Sequence, residues 1–211
     1  MNALVESLRA GIAVYNAGAT HAAHDAWEDC WLELADGTDD ERFFHGLIQF
    51  TAAVYHAEHR NWSGAVGLAE SAQAYLEDLP ATYRHVELTA VRAYLRGLEA
   101  DPERIERAGP PRLVYAGQPL VAADLSISEI IIAAETIAAD SEAYAVDVLE
   151  QAADYARGET ERSNTQFIGL LVTFVDEATH RDIVYDRLDR TVERRTQKQQ
   201  DVAGLFEPRD D

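Results

Sequence analysis

Residues 40–60 read Asp40-Glu41-Arg42-Phe43-Phe44-His45-Gly46-Leu47-Ile48-Gln49-Phe50-Thr51-Ala52-Ala53-Val54-Tyr55-His56-Ala57-Glu58-His59-Arg60. Phe43, Phe44, Leu47 and Ile48, followed by Phe50 and Val54, recur at three- and four-residue steps, the period of a helix with one buried face. This is the most hydrophobic stretch of the first hundred residues, and Asp39 or Asp40 can satisfy the exposed amides at its start. Upstream, Leu4, Leu8, Ile12 and Tyr15 mark a helix over 3–17, broken at Gly18. Thr20 can cap a second helix reaching about Leu34, with Ala23, Trp27, Cys30, Trp31 and Leu34 as its stripe and Asp36-Gly37 as its stop. Downstream, Asn61 or Ser63 opens a fourth helix that Pro80 closes, and residues 82–98 form a fifth ending near Gly97. Short loops between these elements favour antiparallel neighbours.

Gly109, Pro110, Pro111, Gly117 and Pro119 interrupt any regular helix, so 109–124 reads as an extended connector anchored by Leu113, Val114 and Tyr115. Helical patterns resume at about 127–139, 142–157, 162–179 and 181–199, and Ser126 with Glu129 forms a capping box before Ile130, Ile131 and Ile132. The expected fold is all-α: an antiparallel bundle of about five helices, an extended connector, and about four further helices. The corresponding division is a bundle over 1–108, a connector over 109–124 and a helical extension or second small subdomain over 125–211. Phe44-His45-Gly46-Leu47-Ile48 is loosely echoed by Phe167-Ile168-Gly169-Leu170-Leu171, with Val172 where the first copy has Gln49.

The chain of 211 residues carries 38 acidic and 18 basic side chains, a formal charge of -20, and Lys198 is the sole lysine. Acid is spread from Asp25 and Glu28 to Asp201, Glu207 and Asp210 rather than gathered in a tail. With 47% hydrophobic residues available for a core, this describes a folded protein with a negative surface, and predicts a high-salt cytoplasm that screens the self-repulsion. Bare DNA or RNA is disfavoured as a ligand; Arg190, Arg194, Arg195 and Lys198 read as a salt-bridged helix. The N-terminus has no basic start followed by an apolar run, and no apolar run approaches a bilayer span, so neither secretion nor membrane insertion is expected. Cys30 is the single cysteine, which excludes an intramolecular disulfide and a cysteine-rich zinc site.

Polar residues on the apolar helices mark the candidate site. His24 and Glu28 are four apart and share a face, as do His21 and Asp25. Glu28 can hold the His24 imidazole in one tautomer, the geometry of a general base and equally of a structural hydrogen bond. On the next helix His45, Gln49 and His56 form a polar stripe beside Gly46 and Ala53. Gln49 lies in an apolar run and needs partners if buried, which His24 or Glu28 can supply. Such a network either registers the two helices or lines a small cavity. Trp27 and Trp31 are candidates for its floor or wall, and Arg42 is a candidate anion contact or a partner of Asp39.

No cofactor is expected. A mononuclear metal on His24, Glu28 and His56 is the alternative, ranked below hydrogen bonding, since neither repeated Glu-x-x-His nor His-Glu-x-x-His is present. Phosphate-binding loops, dinucleotide-binding turns and the Gly-x-Ser-x-Gly elbow are also missing from the sequence.

Tyr15-Asn16-Ala17-Gly18, Ala23-His24-Asp25-Ala26-Trp27-Glu28 and Trp31 resemble the signature of the domain family of unknown function 309 (DUF309). The likeness continues through Arg42, Phe44, Gly46-Leu47-Ile48-Gln49, Ala52-Ala53 and His56 to Asn61, Gly64 and Ala65, and covers about residues 4–98. It implies a small all-helical protein with His24, Glu28, Trp31 and Gln49 gathered between two central helices. The chain departs from the signature at Ala22 and Asp25, where the family usually has acid and Glu. The resemblance supplies no reaction and no cofactor.

Two functions follow. The first is a helical interaction or scaffold protein whose His24/Glu28/Gln49 network sets helix register, with Ala- and Gly-bearing faces compatible with a homo-oligomer. The second is a small-metabolite-binding protein or hydrolase with His24 as base, Glu28 as its orienting acid, and Trp27, Trp31, Arg42, His45, Gln49 and His56 around an unidentified small molecule.

Overall fold

The computed structural model describes residues 3–159 and 165–204, with side chains through Val202. Glu207 and Asp210, and the start of the helix expected from 162, lie outside the described residues. Helix α1 (Ala3–Asn16) buries Leu8, Ile12 and Tyr15. It ends on Gly18 at φ 87, where Gly18 N–H reaches Tyr15 O at 2.9 Å and Ala19 N–H reaches Val14 O at 3.2 Å, a left-handed cap that suits glycine.

Helix α2 (Thr20–Leu32) begins without a side-chain cap. Thr20 is its first residue rather than its cap; the hydroxyl donates instead to Glu58 Oε2 at 2.8 Å and ties α2 to the far end of the next helix. That helix, α3 (Asp39–Glu58), is capped by Thr38, whose hydroxyl accepts from Glu41 N at 3.2 Å. Asp39 and Asp40, the expected caps, stand in the first turn, where their charges complement the helix dipole. Asn61 caps α4 (Trp62–Leu76), accepting from Gly64 N at 3.2 Å.

The fifth helix starts later than its periodicity suggests. Residues 82–87 form a hairpin of β1 (Thr82–Tyr83) and β2 (Val86–Glu87), and α5 runs Leu88–Ala100. The connector is also partly paired: β3 (Val114–Tyr115) and β4 (Gln118–Pro119) extend the hairpin into an antiparallel sheet ordered β1-β2-β3-β4. Asn16 holds this segment as a strand would, donating to Leu113 O and Leu120 O at 2.9 Å each and accepting from Leu113 N at 2.8 Å. Tyr15 donates to Pro111 O at 3.0 Å.

The later helices are α6 (Ile127–Ala139), α7 (Val146–Glu159), α8 (Gln166–Asp176) and α9 (Arg181–Gly204). The Ser126–Glu129 capping box is formed at both bonds, 2.7 and 3.4 Å. These helices are not a detached appendage: α6 packs on α1 and α2, α8 packs on α1, and one apolar core runs through both halves. Glu129, 1% exposed, serves the capping box and also accepts from Arg9 Nε at 2.8 Å, joining α6 to α1 through a buried ion pair. The fold is an all-α bundle of about nine helices with a short strand-paired connector between the two helix groups.

The two Phe-x-Gly-Leu segments occupy unlike surroundings. A Cβ at Gly46 would meet Leu76 at 2.5 Å, so this glycine lets α3 and α4 approach closely. A Cβ at Gly169 would meet nothing within 4 Å. The glycine common to both segments therefore does different work in each.

Candidate functional site

Helix α2 lies between α1 and α3, and its polar residues divide between three surroundings. Trp27 is fully buried on the α1 side. Its indole rests on Gly11, where a Cβ would stand 2.2 Å from Nε1, and Nε1 donates to Leu8 O at 3.3 Å. It packs the α1–α2 interface and is not among the residues that line the α2–α3 cleft beside the imidazoles.

Trp31, one turn later, turns toward α3 and α4. Nε1 donates to Glu41 Oε1 at 3.1 Å, and the ring lies 4.5 Å from His45 between centroids. His45 in turn stacks on Tyr75 at 3.8 Å and places Nδ1 3.3 Å from the same Glu41 oxygen. This cluster is built from three helices around one carboxylate.

The third surrounding is a cleft of about 180 Å³ between α2 and α3, lined by Thr20, His21, His24, Thr51, Ala52, Tyr55 and His56. His21 and His24 lie parallel with centroids 6.3 Å apart, and Tyr55 closes on His21 at 5.1 Å. His56 is positioned from behind by Asn61, whose Nδ2 is 2.6 Å from His56 Nδ1, and by Gly64, where a Cβ would stand 2.6 Å from that nitrogen. Three imidazoles and a phenol thus line one opening, with the Thr20 and Thr51 hydroxyls donating to Glu58 Oε2 and Ile48 O at its wall.

Arg42 and Gln49 are not part of it. Arg42 donates to Asp39 Oδ1 at 2.5 Å and lies 3.6 Å from Asp78, at the other end of α3, which is the salt-bridge reading of that residue. Gln49 is half-buried, and among the described residues its side-chain amide makes no hydrogen bond; neither His24 nor Glu28 reaches it. Among the described residues the expected His24/Glu28/Gln49 hydrogen-bond network is not formed, although His24 faces α3 beside Ala52 and His56.

His24 and Glu28 instead meet Asp25: one ligand atom from each of the three lies within 4.8 Å of the others. A second trio, His21, Asp25 and Asp140, meets the same criterion, with His21 Nδ1 in direct hydrogen-bond contact with Asp140 Oδ1. Burial pushes the Asp25 carboxyl above its ordinary range, against the opposing pull of His21 and His24. Of the residues that complete these groups, Tyr55 and Thr51 were hidden by their ordinary place in the α3 pattern. Asp140 left one trace in the sequence: an acid just after an apolar helix, where the dipole disfavours it.

Cys30 sits beside this region as a structural thiol. Its Sγ points back to Trp27 O at 3.2 Å, and burial pushes its pKa up to about 12, which removes the thiolate needed of a nucleophile.

Other grooves lie away from the α2–α3 cleft. One of about 210 Å³ between α7, α8 and α9 is lined by Tyr155, Glu159, Phe167, Arg195 and Gln199 among others. There Glu159 Oε2 accepts from Phe167 N at 2.8 Å and Ile168 N at 3.3 Å, acting as the cap that α8 lacks at Thr165, while Glu159 Oε1 stays buried without a partner. Tyr155 hydrogen-bonds Thr196 and Gln199. On the exposed side of α9, Arg190 pairs with Asp186 at 3.9 Å, as expected of a salt-bridged helix. Among the described residues no helix is long and apolar enough to cross a membrane.

No curated protein matches the chain. Residues 8–68, from α1 into α4, match the family described as domain of unknown function (DUF309), so His21, His24, Asp25 and Glu28 fall inside the matched segment and Asp140 falls outside it.

Proposed function

We propose that the protein binds a small polar molecule in the α2–α3 cleft, with His24 as its central contact. The observation that carries this reading is the convergence of His21, His24 and His56 with Tyr55, Thr20 and Thr51 on one opening. Among the described residues the Gln49 amide has no hydrogen bond, which supports this reading over a register-setting role. Helix register has other sources close by, in Trp27 against Gly11 and Leu76 against Gly46.

The cleft is smaller than the roughly 300–1,000 Å³ that a drug-sized ligand occupies, so the ligand is a small metabolite. It offers imidazole, phenol and hydroxyl groups and no Arg or Lys, which suits a neutral, hydroxyl- or carbonyl-bearing molecule better than a phosphate. Binding is supported more directly than hydrolysis. His24 and Glu28 approach within 4.8 Å, yet no hydrogen bond joins them as an orienting acid requires.

The test is histidine-selective NMR of the full chain during titration with small polyols, sugars and carboxylates. The expected result is a joint shift of the His21, His24 and His56 rings with one ligand class, and its loss in His24→Ala. Unmoved rings across all classes would sink the reading. We further propose that the acidic surface adapts the protein to a salt-rich cytoplasm; a melting temperature unchanged from molar to millimolar salt would remove that part.

A further inference from the structure

We propose that His21, His24, Asp25, Glu28 and Asp140 form a site for a divalent transition-metal ion, held between α2 and the end of α6. The four residues from α2 follow the i, i+3, i+4, i+7 spacing of one helix face. The fifth, Asp140, arrives from the C-terminal cap of α6. His21, Asp25 and Asp140 each offer a ligand atom within 4.8 Å of the others, as do His24, Asp25 and Glu28. Asp25 belongs to both sets, so the two trios adjoin.

Three observations favour a cation over mutual hydrogen bonding. Two imidazoles with carboxylates make the mixed nitrogen and oxygen donor set that suits zinc, manganese, iron or nickel. Among the described residues, the three carboxylates pair with no Arg or Lys: Asp25 and Asp140 meet only His21, and Glu28 has no ion pair. In contrast, Asp39, Asp40, Asp101 and Asp154 each hold an arginine. Finally, Asp140 places a negative charge at the negative end of α6, an unfavourable position that a bound cation would reverse. His21 and His24 also line the α2–α3 cleft, so the ion would stand at its edge. The site does not depend on the cleft's ligand, and metal binding is read separately from it.

The experiment titrates the metal-stripped full chain with Co²⁺ in concentrated salt and excess Mg²⁺, followed by Zn²⁺ competition. The expected result is saturable Co²⁺ absorption displaced by Zn²⁺. Asp25→Asn and Asp140→Asn should each weaken affinity by about tenfold or more, with Asp36→Asn as an unaffected control. Glu28→Gln reads the same effect should Asp25→Asn fail to fold by circular dichroism. In the unaltered chain, Co²⁺ should broaden the His21 and His24 ring resonances and spare those of His85 and His180. Mg²⁺ competing as well as Zn²⁺, equal weakening by Asp36→Asn, no effect of Asp140→Asn, or sharp His21 and His24 rings would each overturn the site.

Discussion

The two sides of α2 are built on opposite plans. Toward α1, a fully buried indole lies on a glycine with no room for a methyl group, and its N–H is satisfied by a backbone carbonyl. Toward α3, imidazoles, hydroxyls and a phenol surround a cleft, and the polar contacts that hold the helices lie at or beyond its ends. At one end Thr20 bonds Glu58; beyond the other, Asp40 ties the start of α3 to the β1–β2 hairpin, accepting from Arg84 Nε and Nη2 at 2.5 Å each and from Tyr83 at 2.6 Å. Close packing leaves nothing for a ligand to displace, whereas a cleft leaves room for one. Under the proposed function, stability and binding are therefore separable on this one helix, and substitutions can show it.

The largest effect belongs to the α1 side. Gly11→Val should cost about 3 kcal/mol or more, or prevent folding, because the incoming branch meets a ring with no free space behind it. Gly11→Ala should be milder, and combining it with Trp27→Leu should recover part of the loss, a coupling that a double-mutant denaturation cycle would measure. Additive losses would mean that the two residues do not share one contact.

Next comes the start of α3. Asp40→Asn should cost about 2 kcal/mol in chemical denaturation, since it removes charge-assisted bonds to a half-buried guanidinium. The Arg84 hydrogen bond lowers the Asp40 carboxyl below its ordinary range. Its contribution is therefore complete above the unfolded value of about 3.9 and disappears as pH falls through the lower folded value. Asp40→Asn should lack that segment of the acid-unfolding curve. Thr20→Val, at the other end, should cost about 1 kcal/mol for its single bond to Glu58.

The smallest effects belong to the cleft and the stripe beside it. His24→Ala should change stability by no more than about 0.5 kcal/mol while removing ligand binding. Gln49→Leu should stay within about 0.5 kcal/mol of the parent, because its amide has no partner to abandon. A loss of several kcal/mol from either would restore the registering role.

Much of the fold was legible because the helices are long and periodic. The limits of α6 follow from Ser126, Glu129 and the isoleucines between them and the core. The four strands were not legible, for a physical reason. Each has two residues, too few to show alternation, and the turn between β1 and β2 places Arg84 and His85 at φ 46 and 68, where sequence signals look for Asn or Gly. Three hydrogen bonds that fix the connector come from the side chain of Asn16, about a hundred residues upstream.

The candidate site divides along the same line. His24 with Glu28 could be read from spacing, and Asp25 lies between them. Trp27 and Trp31 looked like one stripe because a step of four residues rotates the chain by only about 40° beyond a full circle. That small angle is enough to send one ring to α1 and the other to His45. Asp140 lies far along the chain, and only the docking of α6 on α2 brings it to His21.

The half-buried thiol of Cys30 has a practical consequence. With its pKa near 12 it stays in the unreactive form at neutral pH, and the sequence contains no other cysteine. Cysteines introduced at the surface would be the sites of maleimide or nitroxide attachment, with Cys30 left in place. Spin-label pairs on α2 and α6 could then report whether the distance between these helices shortens when cations are added.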